Sequence, residues 1–478
     1  MNERARARHD TAPPANLLRF MTTGWATPPT TKPARIDGAE RFAARRALLA
    51  AAFPGETLVV PTGNEKVRAN DTTYRFRPGT AFYYLTGNVE PDNVLVVRAN
   101  GDATLYCEPN PGKTDATFFT DRVKGELWVG PRLGLEQSTH RYALPTKALT
   151  ELDGDLAGAS GRAPFRLLRG VDPALDAALP SQAERDAAFA TQLSEMRLIK
   201  DNLELRELRG AVAATHRGFD DVVRALGEAR TEREIEAAFF RRARTEGHDV
   251  GYATIAATGP NACILHWTRN DRAVADGDLL LLDAGVESET LYTADITRTI
   301  PVNGRFSPEQ RAIYDLVLAA QDAAFAECVP GHDFLAPNRA AMRVLAAGLQ
   351  RLGVLADAAD ALRDENQFFK RYSLHNVSHM LGLDVHDCAA ARAEAYAFGA
   401  LRPGMVLTVE PGLYLQPDDL TVPARYRGIG VRVEDDVAIT ETGCEVLSAA
   451  IPRTAEEVEA WVSRAAASPV PAERRPSR

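Results

Sequence analysis

The stretch around which this chain is organised reads Ser373-Leu-His-Asn-Val-Ser-His-Met-Leu-Gly-Leu-Asp-Val-His386 and contains three of the nine histidines. A lone histidine is more often a surface residue or a satisfied core group than a ligand. Here, however, four acids occur in strand-like surroundings elsewhere in the same half of the chain: Asp283, Asp295, Glu410 and Glu434. Their oxygens are the hard ligands that a carboxylate-rich metal site requires.

Length and charge bound the class of protein. A chain of 478 residues predicts two or three domains, and 45% hydrophobic with 25% charged residues is typical of a soluble protein with a buried core. The net charge of -9 gives no electrostatic argument for nucleic acid or an acidic membrane as partner.

The pattern of cysteines and the length of the apolar segments predict the cellular compartment of the protein. The five cysteines are spread widely without a C-x-x-C pair, which argues against a disulfide framework and a thiolate zinc site. The first thirty residues lack the apolar core of a secretory signal, and Leu279–Leu282 is far shorter than the ~20 residues that span a bilayer. We therefore expect a cytoplasmic protein.

Three segments are predicted. Prolines deny regular structure to an N-terminal arm, residues 1–35, part of which docks through apolar residues such as Trp25. An α/β domain covers 36–197, and a second domain covers 198–478. In the first domain the pattern predicts a helix over Arg41–Ala52, followed by strands at Thr57–Pro61, Ala81–Thr86, Asn93–Val97, Thr104–Cys107 and Glu126–Val129.

Helical periodicity runs from Ser181 to Gly227, across the domain junction that we predict near Leu198–Lys200. Capping boxes at Thr231–Glu234 and Ser307–Gln310 predict two further helices, the latter continuing to Pro330. Leu383–His386 alternates like a strand, and the region from His375 to His379 is a poor helix former.

A weak internal repeat relates two parts of this domain, Gly277-x5-Asp283-x-Gly285 and Gly404-x5-Glu410-x-Gly412. Each is an apolar run that ends in an acid. Buried strands from two related halves would bring Asp283 and Glu410 face to face, although a single pair of matching segments can also arise by coincidence.

Charge favours a metal centre over a structural salt network. Asp283 alone could be a turn residue, and Arg432 could neutralise one acid. Four convergent carboxylates exceed what one arginine balances, whereas two divalent cations with His379 as a neutral fifth ligand balance them. Such a pair generates a hydroxide nucleophile. The oxygen-rich ligand set indicates Mn2+ first, with Zn2+ or Co2+ as alternatives.

Other catalytic schemes have less support. The sequence has no G-x-S-x-G elbow, and Gly428-Ile-Gly430 lacks the rest of a dinucleotide motif. Cys263 and Cys388 lie in apolar surroundings, which favours inert burial over thiolate catalysis.

The acids and histidines together carry a family resemblance. The ordered set is Asp283, Asp295, His379, Glu410 and Glu434, with Asn261–Thr268 and Tyr426–Asp436. It resembles the pita-bread metallopeptidases, and most closely the aminopeptidase P (Xaa-Pro aminopeptidase) family. Phe82–Gly87 and Glu126–Gly134 resemble that family's N-terminal domain. The resemblance implies an α/β N-terminal domain followed by a pseudo-two-fold α+β pita-bread catalytic domain.

The resemblance also implies metal-ligand roles. Asp283 and Asp295 would bind one metal, Asp295, His379 and Glu410 the other, and Glu434 would bridge them. A bridging hydroxide would attack the carbonyl of the first residue, and Glu410 would handle its proton.

Six further residues receive roles from the same likeness. His266 and His386 resemble the pair that orients substrate and stabilises the oxyanion, and His375 resembles a wall of the proline pocket. Arg432 and Tyr414 would support ligand Asp283. Trp128 matches a tryptophan that reaches a neighbouring subunit's site, which implies a homo-oligomer, either dimer or tetramer.

Three positions depart from the family pattern. Asp283 and Asp295 are twelve residues apart instead of eleven, which adds a residue to the hairpin near Glu287–Thr290. Asn376 replaces a glycine, and asparagine tolerates positive φ better than most residues. Ala81 replaces a frequent aspartate and could alter recognition of the substrate's amino end.

The resemblance therefore implies a Mn2+-dependent aminopeptidase acting on peptides with proline at the second position. An Xaa-Pro dipeptidase (prolidase) shares the same ligands and is the nearest alternative. A non-catalytic binding protein or a metal-free creatine-hydrolysing relative on the same fold would have lost ligands, whereas all five are present here.

Overall fold

The computed structural model describes residues 12–26, 32–70, 72–160 and 164–467. The chain divides into two compact units, Met1–Leu193 and Ser194–Arg478. Each unit has its own sheet system and its own buried apolar core.

The N-terminal unit is built on a five-stranded mixed sheet of order β6-β5-β4-β1-β7. Strand β1 pairs antiparallel with β4 and parallel with β7, and all five of its residues are buried. The strands are β1 Thr57–Pro61, β2 Val67–Ala69, β3 Thr72–Thr73, β4 Val94–Val97, β5 Ala103–Cys107, β6 Thr146–Ala148 and β7 Phe165–Leu167. The helices are α1 Ala15–Met21, α2 Ala39–Ala52, α3 Thr80–Thr86, α4 Thr117–Thr120, α5 Glu126–Val129, α6 Leu135–Tyr142, α7 Leu152–Ser160, α8 Pro173–Ala178 and α9 Ala183–Glu195, with a 3-10 turn at Leu149–Glu151.

Two predicted strands are wrong, because both segments are helices. Ala81–Thr86 lies in α3, which ends at Gly87 with φ 66, and every residue from Ala81 to Thr86 is buried. A short apolar run buried on all sides carries no period that separates strand from helix. Glu126–Val129 forms the single turn α5, whose last three residues are exposed.

The arm also differs from its prediction, since Ala15–Met21 is helical after Pro14. Trp25 does contact the body of its own unit, with its ring 6.2 Å from that of Phe119 and Lys113 Nζ 4.8 Å from its centroid.

The C-terminal unit contains antiparallel sheets with helices packed against them. Its strands are β8 Asp249–Val250, β9 Ile255–Thr258, β10 Leu279–Ala284, β11 Val286–Glu287, β12 Ile296–Pro301, β13 Val406–Val409, β14 Gly412–Leu415, β15 Ile429–Arg432, β16 Asp435–Ile439 and β17 Cys444–Val446. Its helices are α10 Asn202–Ala225, α11 Glu232–Glu246, α12 Pro308–Phe325, α13 Ala336–Arg351, α14 Ala358–Ala361 and α15 Ala455–Ala467, with 3-10 turns at Gly259–Cys263, Phe368–Arg371 and Ala424–Tyr426.

The two apolar runs of the repeat are both buried strands. β10 is central in the sheet β12-β10-β9, whereas β13 lies at the edge of β13-β16-β17. All residues of both strands are buried, and both strands are largely apolar up to the acids near their ends. Asp283 lies at the end of β10 and Glu410 follows β13 directly.

Helix boundaries follow capping chemistry. Residues 196–201 interrupt the predicted helical stretch, and Asp201 caps α10 by accepting from the backbone N–H groups of Leu203 and Glu204. The capping box at Ser307 forms in full, but α12 ends at Phe325 instead of continuing to Pro330. Only half of the Thr231 box forms, because the Glu234 carboxylate accepts from Arg230 N.

Within the described ranges, no helix combines the length and apolar character that crossing a bilayer demands.

Two glycines of α10 predict opposite changes in stability. A Cβ at Gly210 meets nothing within 4 Å, whereas one at Gly218 lies 2.7 Å from the Phe239 ring of α11. We expect Gly210→Ala to raise the free energy of unfolding by about 0.5–1 kcal/mol through helix propensity. Gly218→Ala should lower it by about 1–3 kcal/mol through overpacking. Urea unfolding of both variants measures this, and equal effects would contradict the packing of α10 on α11.

Candidate metal centre

Strand ends bring the predicted acids into one site. β10 pairs antiparallel with β12, which places Asp283 opposite Thr297 and near Asp295, the residue before β12. Glu434 lies between β15 and β16. Glu410 follows β13, and Met380 bridges to Leu407 of that strand, so that His379 lies beside it.

His379 presents Nε2 to these acids. Asp295, His379 and Glu434 offer ligand atoms that all lie within 4.8 Å of one another. His379 Nε2 is 3.2 Å from Asp295 Oδ2 and 3.7 Å from Glu410 Oε1. On the far side of the ring, Nδ1 is 3.2 Å from the Met380 carbonyl. With a proton donated there, Nε2 is the nitrogen that a cation would bind in place of a second proton.

Tyr252 joins the first two acids and was not predicted. Its hydroxyl lies 2.6 Å from Asp283 Oδ1 and 2.5 Å from Asp295 Oδ1. One hydroxyl has one proton to donate, so it cannot satisfy both oxygens. Arg432 donates from Nη2 to the other Asp283 oxygen.

The electrostatics of the site fit divalent cations. Burial raises the pKa of Asp283 and of Glu434, and it raises that of Glu410 to about 7, against the opposing charge of Arg432. Burial disfavours a charge on His379, but the bond to Asp295 and the field of the acids raise its pKa to about 9. Carboxylates crowded in this way, with one imidazole nitrogen facing them, form a donor set for cations rather than a balanced salt network.

Arg298 and Thr297 hold Glu434 in place. Thr297 Oγ1 donates to Glu434 Oε2 at 2.6 Å. The fully buried Arg298 donates to the Glu434 carbonyl and the Pro452 carbonyl, each at 2.7 Å, and pairs with Asp435 at 2.7 Å. The backbone around Glu434 is thereby fixed from two directions.

Tyr414 and His375 form a second polar group beside the acids. Tyr414 OH is 2.7 Å from His375 Nε2 and accepts from Arg432 Nη1 at 2.8 Å. Arg432 thus contacts Asp283 as predicted, while Tyr414 reaches that acid only through Arg432. Burial lowers the pKa of His375 to about 4, so its imidazole is neutral at pH 7.

The remaining predicted residues lie at different places. The His386 ring stands edge-on to that of His379 with centroids 4.3 Å apart, and burial lowers its pKa. His266 is exposed on the loop after Gly259–Cys263. Trp128 belongs to the N-terminal unit, where it is 48% exposed and donates from Nε1 to the Phe119 carbonyl at 2.7 Å.

The loop of the three histidines is irregular, so the predicted strand at Leu383–His386 is wrong. A buried ion triad anchors it. Asp387 Oδ1 is 2.9 Å from Arg197 Nε, and Oδ2 is 3.1 Å from Lys200 Nζ. In the sequence, this anchor is indicated only by the two cationic residues Arg197 and Lys200, which lie three positions apart in an apolar helical pattern.

The positions that depart from the family pattern are accommodated locally. The hairpin after β11 closes with Ser288 N bonded to the Tyr292 carbonyl at 2.9 Å and with Leu291 at φ 64. Asn376 does not adopt a positive φ, so the backbone there does not require glycine.

Comparison with known proteins identifies the class. The chain matches the model of metallopeptidase family M24 over residues 206–441 and that of the aminopeptidase P N-terminal domain over residues 42–164. It belongs to metallopeptidase family M24, and its second unit has the pita-bread fold.

Individual relatives narrow the class further. The chain is 50% identical to Xaa-Pro aminopeptidase 1 of Streptomyces coelicolor over 454 residues, which are 94% of this chain and 92% of that protein. It is 35% identical to the Xaa-Pro aminopeptidase of Escherichia coli, covering 87% of this chain and 96% of that protein. Among solved structures, Pseudomonas aeruginosa aminopeptidase PepP aligns with a TM-score of 0.80 at 36% identity, over 91% of this chain and 100% of that chain. Aminopeptidase P from E. coli with the inhibitor Pro-Leu aligns with a TM-score of 0.81 at 32% identity and the same coverage.

Asp387 predicts a pH-dependent contribution to stability. Burial alone would raise its pKa, but Lys200 and Arg197 lower it to about 2, below the ~3.9 of an unfolded chain. This contribution is therefore present above about pH 4 and lost as the pH falls towards 2. Asp387→Asn should lower the free energy of unfolding at pH 7 by about 3–5 kcal/mol, because two cations stay buried without a partner.

Urea titrations of wild type and Asp387→Asn between pH 3 and 7 test this, with exposed Asp418→Asn as control. The gap between wild type and Asp387→Asn should narrow as the solution is acidified. A gap that is constant with pH would show that the triad does not stabilise the loop through charge.

Proposed function

We propose that this chain is a metal-dependent aminopeptidase that hydrolyses the bond between an N-terminal residue and a following proline. The observation that carries the proposal is the convergence of Asp295, Glu410 and Glu434 on the Nε2 side of His379 in a member of family M24, with Asp283 joined to Asp295 through the Tyr252 hydroxyl. Relatives named Xaa-Pro aminopeptidase over nearly the whole chain support the substrate class.

The five residues would hold two divalent cations. Their oxygen-rich donor set suits Mn2+, and Zn2+ or Co2+ are compatible with the single imidazole. When bound, the ions would supply Lewis-acid activation of a water nucleophile at neutral pH.

Glu410 is suited to move a proton. A carboxylate held beside the two cations would be placed to accept a proton and return it. Glu410 Oε2 lies 3.5 Å from His375 Nδ1, so the residue that handles the proton adjoins the proposed wall of the proline pocket.

We assign two imidazoles, those of His386 and His266, to the substrate carbonyl. His386 stands against the ligand His379, and its lowered pKa leaves it neutral with one N–H to donate to a developing oxyanion. His266 approaches from the separate loop 258–272, and we assign it to orienting the substrate. Arg432 opposes the effect of burial on the pKa of Asp283 and aligns this side chain by its direct bond.

Several wider features form part of the proposal. We assign the arm to residues 1–35, the N-terminal α/β domain to 36–197 and the catalytic domain to 198–478. Five free thiols fit a reducing cytoplasm.

The exposed Leu127, Trp128 and Val129 favour a homo-oligomer in which Trp128 reaches a neighbouring site, and sedimentation velocity tests this.

Peptide length separates the proposed activity from its alternative. We expect assays that measure release of the first residue, Xaa, to show cleavage of Xaa-Pro-Yaa tripeptides into Xaa and Pro-Yaa, because an aminopeptidase site leaves space beyond proline. A chelator should abolish this cleavage and added Mn2+ should restore it. Substrates with alanine at the second position serve as control. Cleavage of Xaa-Pro dipeptides with tripeptides untouched would instead identify a dipeptidase.

Two histidine substitutions should separate metal binding from transition-state binding. His379→Ala removes the nitrogen that faces the acids, so metal content and activity should fall together. His386→Ala should retain the metal and lose about 100- to 1,000-fold in kcat, the usual effect of removing one oxyanion donor. Elemental analysis after gel filtration, paired with kinetics, measures both. Metal loss in His386→Ala with metal retained in His379→Ala would reverse the assigned roles.

A further inference from the structure

One fully buried carboxylate outside the metal centre organises a catalytic loop. Glu232 is the first residue of α11 and has no exposed surface. Its Oε1 accepts from Thr258 N at 2.7 Å, Thr258 Oγ1 at 2.9 Å and Asn261 Nδ2 at 3.0 Å. Its Oε2 accepts from Trp267 Nε1 at 2.8 Å and Arg272 N at 2.9 Å.

All five donors belong to one segment, residues 258–272. None of them is a cationic group, since the Arg272 guanidinium is directed to Asp278 and the Thr258 hydroxyl. The carboxylate is therefore stabilised by neutral hydrogen bonds and by the N-terminus of α11. Such a group acts as a fixed centre to which distant parts of a loop are tied.

His266 lies inside this segment, next to Trp267. In the described part of the chain, no hydrogen bond holds the His266 ring itself, although its carbonyl accepts from Thr268 N at 3.1 Å. The position of the exposed ring is thus set by the loop backbone. The bond from Trp267 to Glu232 is the nearest side-chain restraint along the chain.

We infer that Glu232 is a positioning residue that sets the place of His266 relative to the metal centre. This inference rests on the proposed role of His266 in orienting substrate. Glu232 itself touches neither substrate nor metal, and its effect on catalysis passes through the loop. A merely structural role would lower stability without acting through His266.

A double-mutant cycle tests this with Glu232→Gln, His266→Ala and the double variant, all in metal-loaded enzyme. Glutamine preserves the size of the side chain but turns one acceptor into a donor that opposes the bonds from Trp267 and Arg272. We expect kcat/KM on an Xaa-Pro-Yaa peptide to fall roughly 10- to 100-fold, the scale of a misplacement near 1 Å. When His266 is already alanine, adding Glu232→Gln should lower kcat/KM by less than about threefold.

Glu234→Gln is the matched control, because it makes the same substitution in α11 where the partner is Arg230. It should behave as wild type. Metal content should be unchanged in every variant. The inference would be overturned if the fall in kcat/KM of the double variant equalled the product of the falls in the two single variants. Loss of metal in Glu232→Gln would also overturn it.

A readout independent of activity is hydrogen–deuterium exchange followed by mass spectrometry. Glu232→Gln should raise exchange in peptides from 258–272 and leave those from 373–386 unchanged. Unchanged exchange in 258–272 would overturn the inference, whether or not the wild type cleaves proline peptides. Inactivity of the wild type on those peptides would instead refute the proposed function. If Glu232→Gln does not fold, Trp267→Phe removes one of the five donors and should shift exchange and kcat/KM in the same direction by a smaller amount.

Discussion

The fold depends on keeping four carboxylates buried together beside a single guanidinium. Asp283, Asp295, Glu410 and Glu434 repel one another, and burial raises the pKa of three of them, Asp283, Glu410 and Glu434. Isolated buried charges cost several kcal/mol each, so this arrangement is stable only with protons or cations among the acids. Arg432, Tyr252 and Thr297 hold the oxygens in place. The strands deliver these acids, and the rest of the unit supplies the apolar packing that prevents them from moving apart.

The four acids of the proposed site could be picked out from the sequence because each stands at the end of an apolar run or beside a strand, where local pattern and charge counting are informative. The family resemblance supplied the pairing of acids with His379, which spacing alone left open. The residues that hold the acids and the histidine loop in place could not be predicted from local sequence patterns. Tyr252 lies 31 and 43 positions from its two acids, and Arg197 lies 190 from Asp387. Nothing in the immediate surroundings of these residues indicates such partners.

Errors in the predicted secondary structure have two physical origins. Ala81–Thr86 is buried on every side, so its apolar run lacks the alternation or 3.6-residue period that identifies an element. Leu383–His386 does alternate, but its backbone is held by contacts from elsewhere, including the ion triad of the adjacent Asp387. Tertiary contacts decide the conformation there. The histidines are accordingly presented by an irregular loop, whose geometry is set by its anchors.

Arg298 has a consequence for biosynthesis. Its guanidinium links the backbone beside Glu434 to the carbonyls of Ile451 and Pro452, close to the start of α15. A nascent chain that extends past Glu434 but not yet as far as Ile451 already contains all four acids of the site. It still lacks the contacts of Arg298 with the Ile451 and Pro452 carbonyls, which order the backbone beside Glu434. The backbone beside Glu434 can therefore be held in this way only once the segment that contains Ile451 and Pro452 has been synthesised.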